Sequence, residues 1–298
     1  MFRLCSEDVY LSAIFCLISI ILYVHMKKPL YLKSSNKCRR TRYNSFTNIS
    51  EFKFMDKYKT LSENDIEVRY HGQDGTFAEE TLYTVWEART FLKDYFDIKE
   101  QFPKIRVVLT PNRDEFDRLV KDWLHVEIER PSHPSRMAQP QRTDLVVLSP
   151  SAYDKYSTFE YVSDEYRRIL FHEMTHIFEE YLSPDIEASQ RWWGEGLAVF
   201  LSGHWKFDDQ YNFRKPVLDG IRENDIPNIK EIQSNVTKSY DWGWTIVRFI
   251  EITYGREIIV KIVRECSDGN VFAELGENIG RFEKNWKKWL LEEGDSIS

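Results

Sequence analysis

The chain of 298 residues is short of several things. Its 4 cysteines are too few for a disulfide scaffold, and Cys5, Cys16, Cys38 and Cys266 show no CxxC spacing. Only 12 Gly and 10 Pro exclude a collagen-like or low-complexity chain. Global disorder is excluded by 42% hydrophobic and 15% aromatic residues, enough for one large domain or two small ones. Long hydrophobic runs are scarce too. The one in the chain, VYLSAIFCLISIILYV at residues 9–24, is uncharged over 16 positions.

A spanning helix needs about 17–25 residues, so that run is short and requires its flanks to snorkel. Tyr10 and Tyr23 stand near its two ends, where interfacial aromatics belong. A signal peptide is the alternative, but the run is preceded by little positive charge and followed by no A-x-A site. Residues 1–26 are therefore expected to be an uncleaved single-pass membrane anchor. Lys27, Lys28, Lys33, Lys37, Arg39, Arg40 and Arg42 follow it, and the positive-inside rule would put that side in the cytoplasm. The triplets Asn48-Ile-Ser50 and Asn235-Val-Thr237 match the glycosylation pattern and point the other way, with less weight than the charge.

Basic residues are also scarce in the body. Residues 46–298 hold 33 basic and 46 acidic residues, a net of −13. Nucleic acid is excluded as an expected partner, because phosphate contacts need a basic footprint. An acidic surface instead favours basic segments of a protein substrate.

Composition and periodicity divide the chain into the anchor, a basic linker at 27–60 and a body at 61–298. The alternation in residues 66–70 predicts a strand, closed by the turn-like Gln73-Asp74-Gly75. Residues 78–96 have helical spacing, with Leu82, Val85, Trp86, Ala88, Phe91, Leu92 and Tyr95 as one apolar stripe. A strand at 105–109, a helix at 112–123, a loop at 130–143 and a strand at 145–148 follow, and after them mostly helices. The order predicts an α+β domain whose small sheet precedes a helical half.

The chemistry is concentrated in one helix. Ser163 reads as its N-cap, with Asp164 and Glu165 in the first turn. Within it stands His172-Glu173-Met174-Thr175-His176, the HExxH pattern. The i,i+4 spacing puts both imidazoles on one face, able to share one Zn²⁺. Glu173 is offset by about 100° and can reach a water at the metal without ligating it. Leu170, Met174, Ile177, Phe178 and Tyr181 form the opposite, buried side. A catalytic zinc needs a third protein ligand. After 18 intervening residues comes Glu195, in Trp193-Gly194-Glu195-Gly196-Leu197-Ala198, and its two flanking glycines permit close backbone approach. A second helix packed back on the first would present Glu195 in its opening turn.

This pattern resembles the gluzincin metallopeptidases, nearest to the peptidase-MA-like domains. The likeness runs over roughly residues 61–292. IRVVLTPNRDEF (105–116) resembles the strand and helix start ahead of the active site, and residues 145–150 the edge strand along which substrates pair. SYDWGWTIVRFIEITYG (239–255) resembles the later helix that begins with a tyrosine. AELGENIGRFEKNWKKWL (273–290) resembles a closing helical hairpin. The resemblance implies a zincin-like α+β metallopeptidase domain and a hydrolase acting on a peptide or protein substrate. Its metal would be Zn²⁺ on His172, His176 and Glu195, with Glu173 as the catalytic base.

Two departures limit the carry-over. Where thermolysin has the aspartate that supports a ligand histidine, this chain has Val199, so support must come from a backbone carbonyl or from Glu179. The G-x-M-E-N signature of exopeptidases is absent, so specificity for a free amino terminus is not implied. Tyr240 matches the family's tyrosine, expected just before a helix. Its phenol is either an oxyanion donor or a packing group. His125, His133 and His204 lack ligand spacing and read as surface or loop residues. Trp192, Trp193, Trp242, Trp244, Trp286 and Trp289 read as core or cleft wall.

Overall fold

The structure, a computed structural model, describes residues 57–183, 190–266 and 269–297. The expected anchor, and the linker as far as residue 56, lie outside these residues. Among the described residues no helix is long and apolar enough to cross a membrane.

The first half is a five-stranded mixed sheet with helices between its strands. β1 (Lys59–Glu63) and β2 (Ile66–Tyr70) form an antiparallel hairpin. Its two turn residues, Asn64 and Asp65, both take positive φ, at 50° and 62°. That is the backbone twist a two-residue hairpin needs, and Asn and Asp tolerate it best after glycine. β1 was not expected: its first two residues fall in the expected linker and the rest in a stretch of the body with no predicted element. Its side chains are almost all exposed, so it has no apolar alternation to reveal it.

α1 (Gly75–Tyr95) follows and crosses to β3 (Ile105–Thr110), which pairs parallel with β2. Along α1, Ala78, Val85, Ala88 and Leu92 are fully buried, but Trp86 and Phe91 are each 42% exposed. The expected apolar stripe is thus narrower than the run of hydrophobic residues. α2 (Arg113–Asp122) starts at Asn112, whose side chain accepts the Glu115 N–H at 2.9 Å. β4 (Ala138–Gln141) and β5 (Asp144–Leu148) make the second hairpin, and β5 pairs parallel with β3.

The strand order β1-β2-β3-β5-β4 corrects two expectations. Residues 138–141 are a strand rather than loop. β5, expected at the edge, is flanked on both sides, and β4 is the edge. Its Pro140 disguised it, because proline is tolerated only where no ladder donor is needed.

The short α3 (Tyr153–Tyr156) leads into α4 (Ser163–Leu182), which packs against α1 and β4. Ser163 is the first helical residue rather than the cap, and its hydroxyl donates to Glu80 Oε1 of α1 at 2.5 Å. Tyr161 donates to the other Glu80 oxygen at 2.6 Å. Thr81 gives its proton to the Phe77 carbonyl at 2.6 Å, so Tyr166 is the donor in the buried 2.7 Å Tyr166–Thr81 pair. At the far end of α4, Glu180 accepts the Arg142 N–H at 2.6 Å and so fastens the β4–β5 turn to the helix.

The second half is helical: α5 (Arg191–Ser202), α6 (Arg214–Glu223), α7 (Ile229–Ser234), α8 (Val236–Tyr254), α9 (Arg256–Glu265), α10 (Val271–Glu274) and α11 (Ile279–Ile297). The fold is therefore α+β, as the order of elements implied. The closing hairpin has a first arm of a single turn. Trp192, Trp193, Trp242, Trp244 and Trp286 are core, as expected.

Candidate metal centre

His172 and His176 lie one turn apart on α4, with Glu173 next to the first, and Glu195 is the fifth residue of α5, just past the opening turn where it was expected. The buried α4 face is the expected one. Leu170, Met174, Ile177 and Phe178 are fully inaccessible, and Tyr181 is half-buried. Phe178 stacks on Phe102 with ring centres 4.2 Å apart. That face holds the helix against the sheet half and turns the two imidazoles toward α5.

Three atoms converge there. The two Nε2 atoms of His172 and His176 are 3.2 Å apart. Glu195 Oε2 lies 3.3 Å from the first and 3.4 Å from the second. The two rings are nearly perpendicular, at 80°, so they are not stacked on each other. Glu195 Oε2 is buried and lacks a hydrogen bond of its own. A tetrahedral ion with bonds of about 2.0–2.1 Å requires ligand atoms about 3.3–3.4 Å apart, which is the size of this triangle. These three residues can hold a metal ion, and among the described residues no other such cluster occurs.

The glycines around Glu195 let the helices close. A Cβ on Gly194 would stand 3.1 Å from Glu179 Oε2, and one on Gly196 would stand 2.5 Å from the backbone of Gly243 in α8. Gly194 thereby leaves room for Glu179, a residue only 3% exposed, whose Oε2 is 3.8 Å from His176 Nδ1. A carboxylate on the outer nitrogen fixes the ring and raises its basicity. Val199 is core, and Glu179 is the carboxylate that lies on this side of His176.

The local field follows from this geometry. Burial opposes ionisation of Glu195, yet His176 and the contacts from both imidazoles hold its carboxyl well below the usual carboxylate range. Burial likewise opposes charge on His176, but Glu195 and Glu179 push it well above the ordinary histidine value. Glu173 moves upward, chiefly through burial, with Glu195 adding to the effect and the two histidines opposing it. A carboxyl shifted toward neutrality can both take and return a proton.

Tyr240 is one turn inside α8, not ahead of it. Asn235 caps that helix by accepting the Lys238 N–H at 3.0 Å. The Tyr240 ring is parallel to that of His172, within 6°, with centres 6.4 Å apart.

His204 is not a surface residue. It is 7% exposed, and its ring meets the His172 ring edge-on at 5.8 Å. Ser202 Oγ and His204 Nδ1 are hydrogen-bonded at 2.7 Å. Burial, then His172 and Arg168, keep His204 well below the ordinary value and hence neutral. No motif marks this residue; only the fold brings it to the site. His125 is exposed and His133 half-buried, and neither belongs to the cluster.

No family model matches the chain, and neither does any curated protein.

Proposed function

We propose that this chain is a zinc-dependent peptidase of the gluzincin type, with a zincin-like domain held at a membrane by residues 1–26. The observation that carries the reading is the triangle of His172 Nε2, His176 Nε2 and Glu195 Oε2, with sides of 3.2, 3.3 and 3.4 Å, beside Glu173. Two nitrogens and one carboxylate oxygen form the donor set of catalytic zinc sites, which leave the fourth position open. A bound zinc ion would supply Lewis acidity, polarising the scissile carbonyl and acidifying water.

The residues of the chain do the rest. Glu173 accepts the proton of the attacking water and returns it to the leaving nitrogen, a double duty suited to its upward-shifted carboxyl. Tyr240 donates its phenol proton to the oxygen that becomes negative in the transition state. Glu179 keeps the His176 ring in orientation. The free edge of β4, beside α4, offers backbone donors and acceptors to an extended peptide.

The test is turnover of a peptide library by the full-length protein. Hydrolysis that is abolished by a chelator and restored by zinc is expected. Zinc binding without turnover of any peptide would assign the site to a binding protein or to a hydrolase of another bond. Carbonate extraction should leave the protein in membranes, and release of a truncated form would show cleavage instead.

A further inference from the structure

Three exposed aromatic side chains stand on one helix, α1. Tyr83 is 60% exposed, and Trp86 and Phe91 are 42% exposed each. Elsewhere among the described residues Phe207 is the only aromatic side chain so open to solvent. The Tyr83 and Trp86 rings lie 6.0 Å apart, and Phe91 sits 6.2 Å from Phe171 of α4. A single exposed hydrophobic residue needs no explanation, but several on one helix mark a contact surface.

The polar groups between these rings are already engaged. Thr90 gives its hydroxyl proton to the Trp86 carbonyl at 2.8 Å. Glu87 pairs with Arg167 at 3.2 Å, and that guanidinium lies over the Phe171 ring. Arg89 and Lys93 line a groove with Trp86 and Thr90, and Lys93 donates to the Glu100 carbonyl at 3.0 Å. Exposed Glu79 and Asp94 bear charge a turn before Tyr83 and a turn after Thr90, which keeps any contact shallow.

The path of the chain names the occupant. It enters the described fold through β1, which pairs with β2, and both strands lie against α1. Arg89 ties α1 to the turn of that hairpin, donating to the Asn64 carbonyl and standing 3.8 Å from Asp65 Oδ2. The aromatic face is thus on the helix beside the point of entry. About 30 residues separate that point from the expected anchor, and whatever their conformation they reach at most ~100 Å. A tethered body meets the bilayer at high effective concentration, so a shallow contact suffices. Tyr and Trp suit that layer, with an apolar ring and a polar tip. Lysine and arginine beside them suit the phosphates of lipid headgroups.

We propose that the Tyr83–Trp86–Phe91 face of α1 is a docking surface for the headgroup layer of the phospholipid bilayer that anchors the chain. The docking rests on the membrane reading of residues 1–26 and is independent of the metal site.

All 9 tryptophans lie in the body, so the tryptophan emission of the full-length protein reports on the body and not on the anchor. Trp86 is the exposed one. The test reconstitutes the full-length protein in phosphatidylcholine vesicles with plain or brominated acyl chains, bromine quenching a ring that it approaches. A loss of emission in the brominated vesicles is expected, and it should disappear in Trp86→Phe. It should also disappear in Tyr83→Ser/Phe91→Ser, which keeps the reporter and removes its neighbours, with circular dichroism confirming the fold. Equal emission of wild type in the two vesicles would overturn the proposal. If that result came with a dimer that Tyr83→Ser/Phe91→Ser dissociates, the face would belong to a second copy. Quenching that persists in Trp86→Phe would place another face on the bilayer and overturn it too. If carbonate releases the full-length protein, the anchor reading fails, and flotation with the same vesicles tests the face alone. Flotation that the double variant loses supports the docking, and absent or unchanged flotation overturns it.

Discussion

Gly196 and Gly243 touch where α5 crosses α8. A Cβ on Gly196 would stand 2.5 Å from the Gly243 carbonyl carbon, and one on Gly243 would stand 2.5 Å from the Trp192 carbonyl oxygen. The crossing fixes Glu195, one residue before Gly196, relative to Tyr240, three before Gly243; Glu195 Oε2 is 3.3 Å from His172 Nε2, and the Tyr240 ring lies parallel to that of His172.

Gly196→Ala therefore forces two backbones apart. Overpacking of this kind costs about 1–3 kcal/mol, and metal content should fall with it because Glu195 moves too. Gly75→Ala is the control, since its added Cβ meets nothing nearer than 3.9 Å. Chemical denaturation and metal analysis of both variants check this. A Gly196→Ala protein of unchanged stability would mean that the helices are not in contact at this crossing.

Glu195→Ala should lose most of its zinc, because two imidazoles one turn apart must then hold the ion alone. Metal stoichiometry after dialysis is the measurement. Full occupancy in the variant would remove Glu195 from the ligand set.

Glu173→Gln should keep zinc and fold and lose turnover. The amide is nearly isosteric but cannot accept a proton, and general-base catalysis alone contributes about 10²–10⁴-fold. Residual activity within a few-fold of wild type would assign the base to another group.

Tyr240→Phe should lower kcat by about 10²–10³-fold, with KM and zinc content nearly unchanged, as for other donors aimed at a developing oxyanion. A change below about threefold would make Tyr240 a packing residue beside His172. A rise in KM alone would move its hydroxyl to ground-state binding.

Asp241, beside Tyr240 in α8, is 8% exposed, and burial pushes its carboxyl up to about 7. Its folded value lies above the unfolded value of about 3.9, so the stability attached to the neutral acid is complete below pH ~4. As the pH rises from there to about 7 the unfolded state ionises first, and stability falls by on the order of 3–4 kcal/mol. Asp241→Asn removes this slope, so its advantage over wild type should widen across that interval and then level off. A pH-independent difference between the two proteins would show that Asp241 ionises freely when folded.

Local patterns in the sequence determined much of this molecule. α2 and α4 are recognisable because each buries one side, which writes a period of 3.6 into the chain, and β3 because a central strand buried on both faces reads as a short apolar run. The histidine pair is equally local, since helical spacing alone puts residues 172 and 176 on one face. Glu195 was accessible by motif. Its distance to the histidines was set by tertiary structure, through the contact of Gly196 with Gly243. β1 and β4 were hidden because edge strands are held by backbone pairing, which leaves no side-chain signature. His204 was hidden for a related reason. Whether a polar side chain faces solvent or a catalytic cleft depends on elements far away in sequence, and burial supplied by another helix or loop leaves no trace in its immediate neighbours.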